Sequence, residues 1–386
     1  MKKRGIQAVL FIVVVVLFIC GLTGMSSFLR VKEKINSTPK QTKNTYLQKK
    51  RKEVKSAKAL QPNTATGIKA TVQNASIDTY LQQQGFQGTA LIVRRGKVVL
   101  SQAYGEADQV TSRRNSVNTT YYLGSAQKSI IATAILQLQG QGKLKIDDPI
   151  AKYIADFPNG QQIKLRNLLN HTSGIKGREE TGDYIAPKEV VEQIKQQGIK
   201  AQPGSWNYQD SNYSTLAYVV ELIEKSSIQD YVKKRIFEPA KMLNSGFYQT
   251  FEKTIEPSKS YKIKEEKFHE AKLPNLSQLY GAGDIYTTAT DLYLYDKALM
   301  TGVLLKEKEK KEMFTSGSRS TYGMGFYVNP GSYSSHGVLG GWNCINSFTH
   351  TGLTYIVLLE NTNKVKSLGQ VANHIYELLN KSEEPN

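Results

Sequence analysis

Cysteine is almost missing from this chain. Cys20 and Cys344 are the only two in 386 residues, and they lie in segments of different character. No internal disulfide joins them, so this is not a small stapled secreted fold. Histidine is nearly as scarce. The five are scattered, with none at the spacing of a ligand pair, which leaves no zinc or iron signature and calls for no metal and no cofactor. Acidic residues are also short, 33 against 51 lysines and arginines, for a net charge of +18. That deficit is concentrated. Between residues 26 and 75, Arg30, Lys32, Lys34, Lys40, Lys43, Lys49, Lys50, Arg51, Lys52, Lys55, Lys58 and Lys69 face only Glu33 and Glu53. Charge of either sign is missing from one long stretch, the apolar run from Ile6 to Met25.

That run follows Met1-Lys-Lys-Arg4 and is long enough to span a bilayer as a helix, for which about 20 apolar residues suffice. A basic cluster ahead of a span marks the cytoplasmic side. The sequence therefore predicts a cytoplasmic tail at 1–5, a single-pass signal anchor at 6–25, and a cell-membrane location with the remainder outside the cytoplasm. Cleavage as a signal peptide is the alternative, since Gly24-Met25-Ser26 is a passable small-x-small site. Leu17-Phe-Ile-Cys20 is a poor lipoprotein box, because Ile19 is too large beside the cysteine. Residues 26–75 are too polar to bury a core and read as a basic stalk. A cationic tether just outside a membrane attracts anionic polymer or lipid headgroups. Nucleic acid, the other usual partner of a basic chain, is out of reach behind such an anchor.

Gly124-Ser125-Ala126-Gln127-Lys128 carries the clearest chemistry. Residues i and i+3 of a helix share a face, so Lys128 can reach Ser125 Oγ. A serine needs a neighbouring base to act as a nucleophile, and a desolvated lysine can supply one. Spacing alone selects nothing, because Ser37/Lys40 and Ser173/Lys176 repeat it. Only the Ser125 copy opens a strongly apolar helix, with Ile130, Ile131, Ala134, Ile135 and Leu138 following. Context singles it out.

From 76 to 382 the chain reads as one catalytic unit. Ser76 is placed to cap a short helix through Gln84, and Gly88–Leu100 reads as two strands around an Arg95-Gly96 turn. A further helix is predicted from about Asn212 to Lys225, with Leu216, Val219, Val220 and Ile223 on one side. Strand character returns at Gly323–Val328, Ser347–His350 and Thr354–Leu359, and a helix through Val371, Ile375 and Leu379 closes the unit. Strands at both ends with helices between predict an α/β (α+β) fold. Its antiparallel sheet would be built from the two chain ends, flanked by helices, with a mostly helical region inserted.

Six ordered blocks carry a family resemblance over nearly all of 76–380. They are Leu123–Lys128; Gly142–Pro149; Leu168-Leu-Asn-His-Thr-Ser-Gly174; Pro203-Gly204 ahead of Tyr208-Gln-Asp210; Gly281-Ala-Gly283 with Thr288–Leu292; and His336-Gly-Val338 ahead of Gly341-Trp342. In this order they resemble the serine beta-lactamase and penicillin-binding-protein-like superfamily, in its class C and esterase branch. Within it, Gly-Ser-Ala-Gln-Lys, Tyr-x-Asp and Tyr-Gly-Ala-Gly look most like the FmtA-type D-alanine esterases of teichoic acids. The resemblance implies that Ser125 is the nucleophile and that Lys128 and Tyr208 share proton transfer. It also implies that His336, Gly337 and Val338 edge the substrate site, with the N–H groups of Ser125 and Leu339 forming the oxyanion hole. His171 lies in a block that shapes a turn, so a Ser-His-Asp triad is not expected. Cys344 falls where serine is common and reads as a buried, inert thiol.

Two departures matter. The family carries Tyr-x-Asn where Asp210 stands here, and a carboxylate can only accept hydrogen bonds. Asp210 would then pair with Lys128 or with a cation on the substrate. Val338 replaces a glycine, which would narrow the cleft where relatives admit a beta-lactam. The resulting expectation is an extracytoplasmic serine esterase that removes D-alanine from (lipo)teichoic acid. The alternatives are a DD-carboxypeptidase acting on the peptidoglycan stem peptide, and a catalytically silent wall-binding protein.

Overall fold

A computed structural model describes residues 68–381. Seven antiparallel strands form one sheet in the order Thr71–Val72, Lys97–Tyr104, Gly88–Arg94, Thr354–Glu360, Trp342–Thr349, Ser332–Leu339 and Tyr327–Asn329. The first three come from one end of the described chain and the last four from the other. They meet where Gly88–Arg94 pairs with Thr354–Glu360. Alternation along these two strands divides the core. Ala90, Ile92, Ile356 and Leu358 face the helices Ala75–Gln83 and Leu368–Lys381, while Leu91, Val93, Val357 and Leu359 join the larger cluster on the other face. That second face is covered by Ala289–Met300 and the central helix Lys128–Gly140, which is buried from Lys128 through Leu136. Shorter helices, among them Pro187–Gln197 and Asp210–Glu224, complete the inserted helical region. The expected α+β architecture is the observed one.

The boundaries moved in small, explicable ways. Asn74, not Ser76, caps the first helix: its backbone is extended and its side chain accepts the Ile77 N–H at 3.1 Å. The sheet already starts at Thr71, inside the tract read as stalk. Residues 26–67, and Ser37/Lys40 with them, lie outside the described residues. The membrane location requires correction. Among the described residues no helix is long and apolar enough to cross a membrane, and the proposed span at 6–25 lies outside them. The argument that kept nucleic acid out of reach loses its support with it.

Candidate active site

Ser125 stands in a single 3-10 turn, Gly124–Gln127, that runs directly into the helix beginning at Lys128. Lys128 Nζ donates to Ser125 Oγ at 3.0 Å and to the Ala282 carbonyl at 3.2 Å. No part of Lys128 is exposed, so its charge needs close partners to persist. The third partner is Asp210, with Oδ1 2.7 Å from Nζ. Burial pulls the lysine pKa down. The Asp210 carboxylate and the neighbouring Tyr208 hydroxyl outweigh it, and the net shift is upward. In the resting site Lys128 is an ammonium rather than a free amine. Of the two partners the sequence left open for Asp210, the structure places it on Lys128.

The turn that bears Ser125 is anchored from behind. Gln127 Nε2 donates to buried Asp284 at 2.6 Å, and Gln127 Oε1 accepts the Ile285 N–H at 2.6 Å. Burial raises the Asp284 carboxyl to about 7. Neither Asp284 nor the Ala282 carbonyl was singled out by sequence, since both act from more than 150 positions away.

Tyr208 and Asp210 are set by the His171–Gly174 block. His171 Nδ1 accepts the Gln209 N–H at 3.2 Å and lies 3.0 Å from Asn212 Nδ2, while its ring packs 4.2 Å from that of Tyr208. A backbone donor on Nδ1 makes that nitrogen the acceptor. Burial, with Lys128 adding to it, holds the imidazole pKa well below its ordinary value, so the ring stays neutral. Ser173 Oγ donates to Asn212 Oδ1 at 2.5 Å. His171 is thus a spacer for the Tyr208–Asp210 segment, and no hydrogen bond joins it to Ser125. Lys128 Nζ lies 5.0 Å from the centre of the Tyr208 ring.

The strand Ser332–Leu339 lies flush on the nucleophile turn. A Cβ at Gly337 would fall 1.9 Å from the Leu123 carbonyl oxygen and 2.8 Å from the Ser125 nitrogen, so only glycine fits. Gly124, at φ +51°, reciprocates against the Val338 backbone. The contact falls on Gly337 and on backbone, and Val338 itself is 56% exposed. His336 is exposed and its Nε2 meets Asn343 Oδ1 across the strand pair at 2.8 Å. Leu339 ends the strand, one residue beyond the backbone packed on Gly124. Cys344, opposite Gly337 in the register, donates to the Leu123 carbonyl at 3.0 Å, and burial pushes its thiol up to about 12.

Beside this cluster lies a cavity of about 200 Å³, lined by Tyr208 and Asp210 together with Arg178, Glu180 and Gln278. Sequence reasoning passed over the last three. They bear no motif, and Gln278 comes from 100 positions downstream of Arg178.

Comparison with known proteins agrees with the geometry. The beta-lactamase family profile matches residues 74–380. PbpX of Bacillus subtilis, provisionally named a penicillin-binding protein, is 50% identical over 313 residues, covering 81% of this chain and 80% of its own. A teichoic acid D-alanine hydrolase of Staphylococcus aureus is 33% identical over 267 residues, 66% of this chain and 65% of that protein. The crystal structure of FmtA from Staphylococcus aureus superposes with a TM-score of 0.74 at 27% identity, covering 81% of this chain and 91% of that one. With a profile match spanning most of its length and a serine and lysine joined at the mouth of the central helix, this chain belongs to the beta-lactamase and penicillin-binding-protein-like family of serine hydrolases.

Proposed function

We propose that the protein is a serine esterase that releases D-alanine from a teichoic-acid-type polymer through an acyl-enzyme on Ser125. The observation that carries this reading is the continuous line from Ser125 Oγ through Lys128 Nζ to Asp210. Ser125 attacks the ester carbonyl, and its proton passes to Lys128 as Lys128 yields one to Asp210. An ammonium cannot otherwise act as a base, so the carboxylate is what makes Lys128 competent. The oxyanion is received by the N–H groups of Ser125 and Leu339. Collapse expels the polymer hydroxyl, which takes a proton back through Lys128 and Tyr208. Water then attacks the acyl-enzyme along the same route, releasing D-alanine and restoring Ser125. The staphylococcal D-alanine hydrolase relative supports the substrate class. So does the net charge of +18, which attracts a polyphosphate chain.

The likeness to PbpX favours a second reading, a DD-carboxypeptidase using the same nucleophile. The purified full chain is incubated with D-alanylated teichoic acid and, separately, with a pentapeptide ending in D-Ala-D-Ala, and free D-alanine is assayed. Release from the polymer alone supports the esterase. Release from the pentapeptide, with rapid labelling of Ser125 by a fluorescent penicillin, replaces it with the peptidase. The absence of any acyl adduct on Ser125 by mass spectrometry, with either substrate, points to a silent wall-binding protein.

A further inference from the structure

The esterase reading leaves one chemical feature of the substrate without a partner. A D-alanyl ester carries an α-ammonium whose nitrogen lies only about 2.5 Å from the carbonyl carbon under attack. Any group that reads this charge must therefore stand in the wall next to Ser125 and Lys128. Asp210 is the obvious candidate, but it is already bound to Lys128 at 2.7 Å.

The cavity opening on this pair contains a second carboxylate. Tyr208 and Asp210 belong both to the cluster around Lys128 and to the cavity wall, so the space of about 200 Å³ opens beside that cluster. Its other polar groups are satisfied by the protein itself. The Arg178 guanidinium donates to the carbonyl of Glu179 at 3.0 Å, to Gln193 Oε1 at 3.2 Å, and to Gln278 Oε1 and O at 2.9 and 2.6 Å. Gln278 spends its amide on Thr181 Oγ1 and the Asp183 carbonyl. Four neutral acceptors fix Arg178 in place and leave the carboxylate two residues along uncapped. Glu180 is an exposed residue on the rim of this cavity, and its carboxylate has no hydrogen-bond or ion-pair partner among the described residues.

We infer that Glu180 is the specificity residue that receives the α-ammonium of the D-alanyl group, in the cavity it shares with Tyr208 and Asp210. This rests on the esterase reading. Burial and repulsion from Asp210 raise the Glu180 pKa, while Arg178 and Lys128 act in the opposite sense. A cation placed beside the two carboxylates offsets that repulsion. The cavity also has room for one small amino-acyl group and little more. On this account the two carboxylates have separate tasks: Asp210 serves the proton on Lys128, and Glu180 serves the charge on the substrate.

Two esters of the same small alcohol separate these tasks, one D-alanyl and one N-acetyl-D-alanyl, because only the first carries the cation. The wild-type chain should favour the free amine in kcat/KM. Glu180→Gln should lower that preference by about tenfold, with the loss falling on the D-alanyl ester. Asp210→Asn should instead lower both esters by a common factor and leave the ratio near its wild-type value. An unchanged ratio in Glu180→Gln, or equal losses on both esters, overturns the assignment while leaving the esterase intact. A wild-type chain that hydrolyses neither ester overturns the esterase reading and this inference together. Thermal melts of each variant establish that the comparison is made on folded protein.

Discussion

Two copies of the same four-residue pattern stand in the described chain, and only one of them is chemically armed. Ser125 receives a hydrogen bond from a lysine with no exposed surface, and that lysine is held by a carboxylate. Ser173 donates its hydroxyl to Asn212, and Lys176 points into solvent. The difference is not spacing, which is identical. It lies in what surrounds the lysine. In the first copy the helix start at Asp210, the Tyr208 ring and the Ala282 carbonyl surround Nζ. In the second the chain turns away at Gly174, which approaches the Ala201 carbonyl, and the pair is split between core and surface. The second copy still matters, because it pins Asn212 and His171 beneath Tyr208 and Asp210.

Removing each serine in turn sharpens this contrast most. Ser125→Ala should cost at least about 10³-fold in ester hydrolysis at nearly unchanged melting temperature, since it deletes only the attacking hydroxyl. Ser173→Ala should do the reverse. It strips a partner from buried Asn212 and so costs about 1–2 kcal/mol of stability, read from denaturant melts, with the rate falling far less. If the folded Ser125→Ala chain keeps half its rate, the two copies have been told apart wrongly. Next in size is Gly337→Ala. The added methyl would meet the Leu123 oxygen and force strand and nucleophile turn apart, for an expected loss of about 10²-fold in kcat. A crystal structure of that variant with an undisturbed turn and full activity would remove the close approach from the account.

Asp210→Asn tests what distinguishes the armed lysine from Lys176. With the carboxylate gone, burial dominates and the Lys128 pKa falls. The relay also loses its proton acceptor, so kcat/KM should fall by about tenfold at neutrality. The sign of the stability effect follows the same shift. A folded-state pKa above the unfolded one stabilises the wild type at neutral pH, and the gain is lost as pH rises through the folded value. The wild type's advantage in melting temperature should therefore persist to about pH 10 and be lost only above it. Its size at neutrality should correspond to about 1–3 kcal/mol, below the cost of breaking a fully buried pair, because the Asp210 side chain is 45% exposed. A gap independent of pH would disconnect Asp210 from Lys128. The smallest effect belongs to Cys344. Its raised pKa and burial predict no labelling of the native chain by a thiol reagent at about pH 8, and Cys344→Ser should alter kcat less than about twofold. Labelling at the rate of a free thiol would show that the strand behind Ser125 opens.

Much of the site was legible because its first contact is local. Ser125 and Lys128 are three residues apart, and the apolar residues after them specify a helix that has to be buried. His171 was read correctly as part of a turn. The central strands were legible from their apolar runs and from the Arg95-Gly96 turn, whereas Gly323–Val328, read as strand, becomes strand only at Tyr327. The 3-10 geometry of the nucleophile turn was not, because it follows from Gly124 adopting a positive φ against a strand more than 200 residues away. Glu180, Gln278 and Asp284 were also hidden, each being an ordinary residue until folding sets it beside the cluster.

By itself the sequence determined the fold class, the family and the pairing of Ser125 with Lys128, since all of these depend on short-range patterns repeated in a set order. Tertiary structure alone decided what encloses that lysine and which carboxylate meets it. Both depend on burial and on distances of a few ångströms between segments far apart in the chain, and no spacing rule encodes either. Asp210 could have met Lys128 or a substrate cation on sequence grounds. A separation of 2.7 Å from a lysine with no exposed surface commits it to that lysine, because a buried ammonium without a counter-charge would not keep its proton.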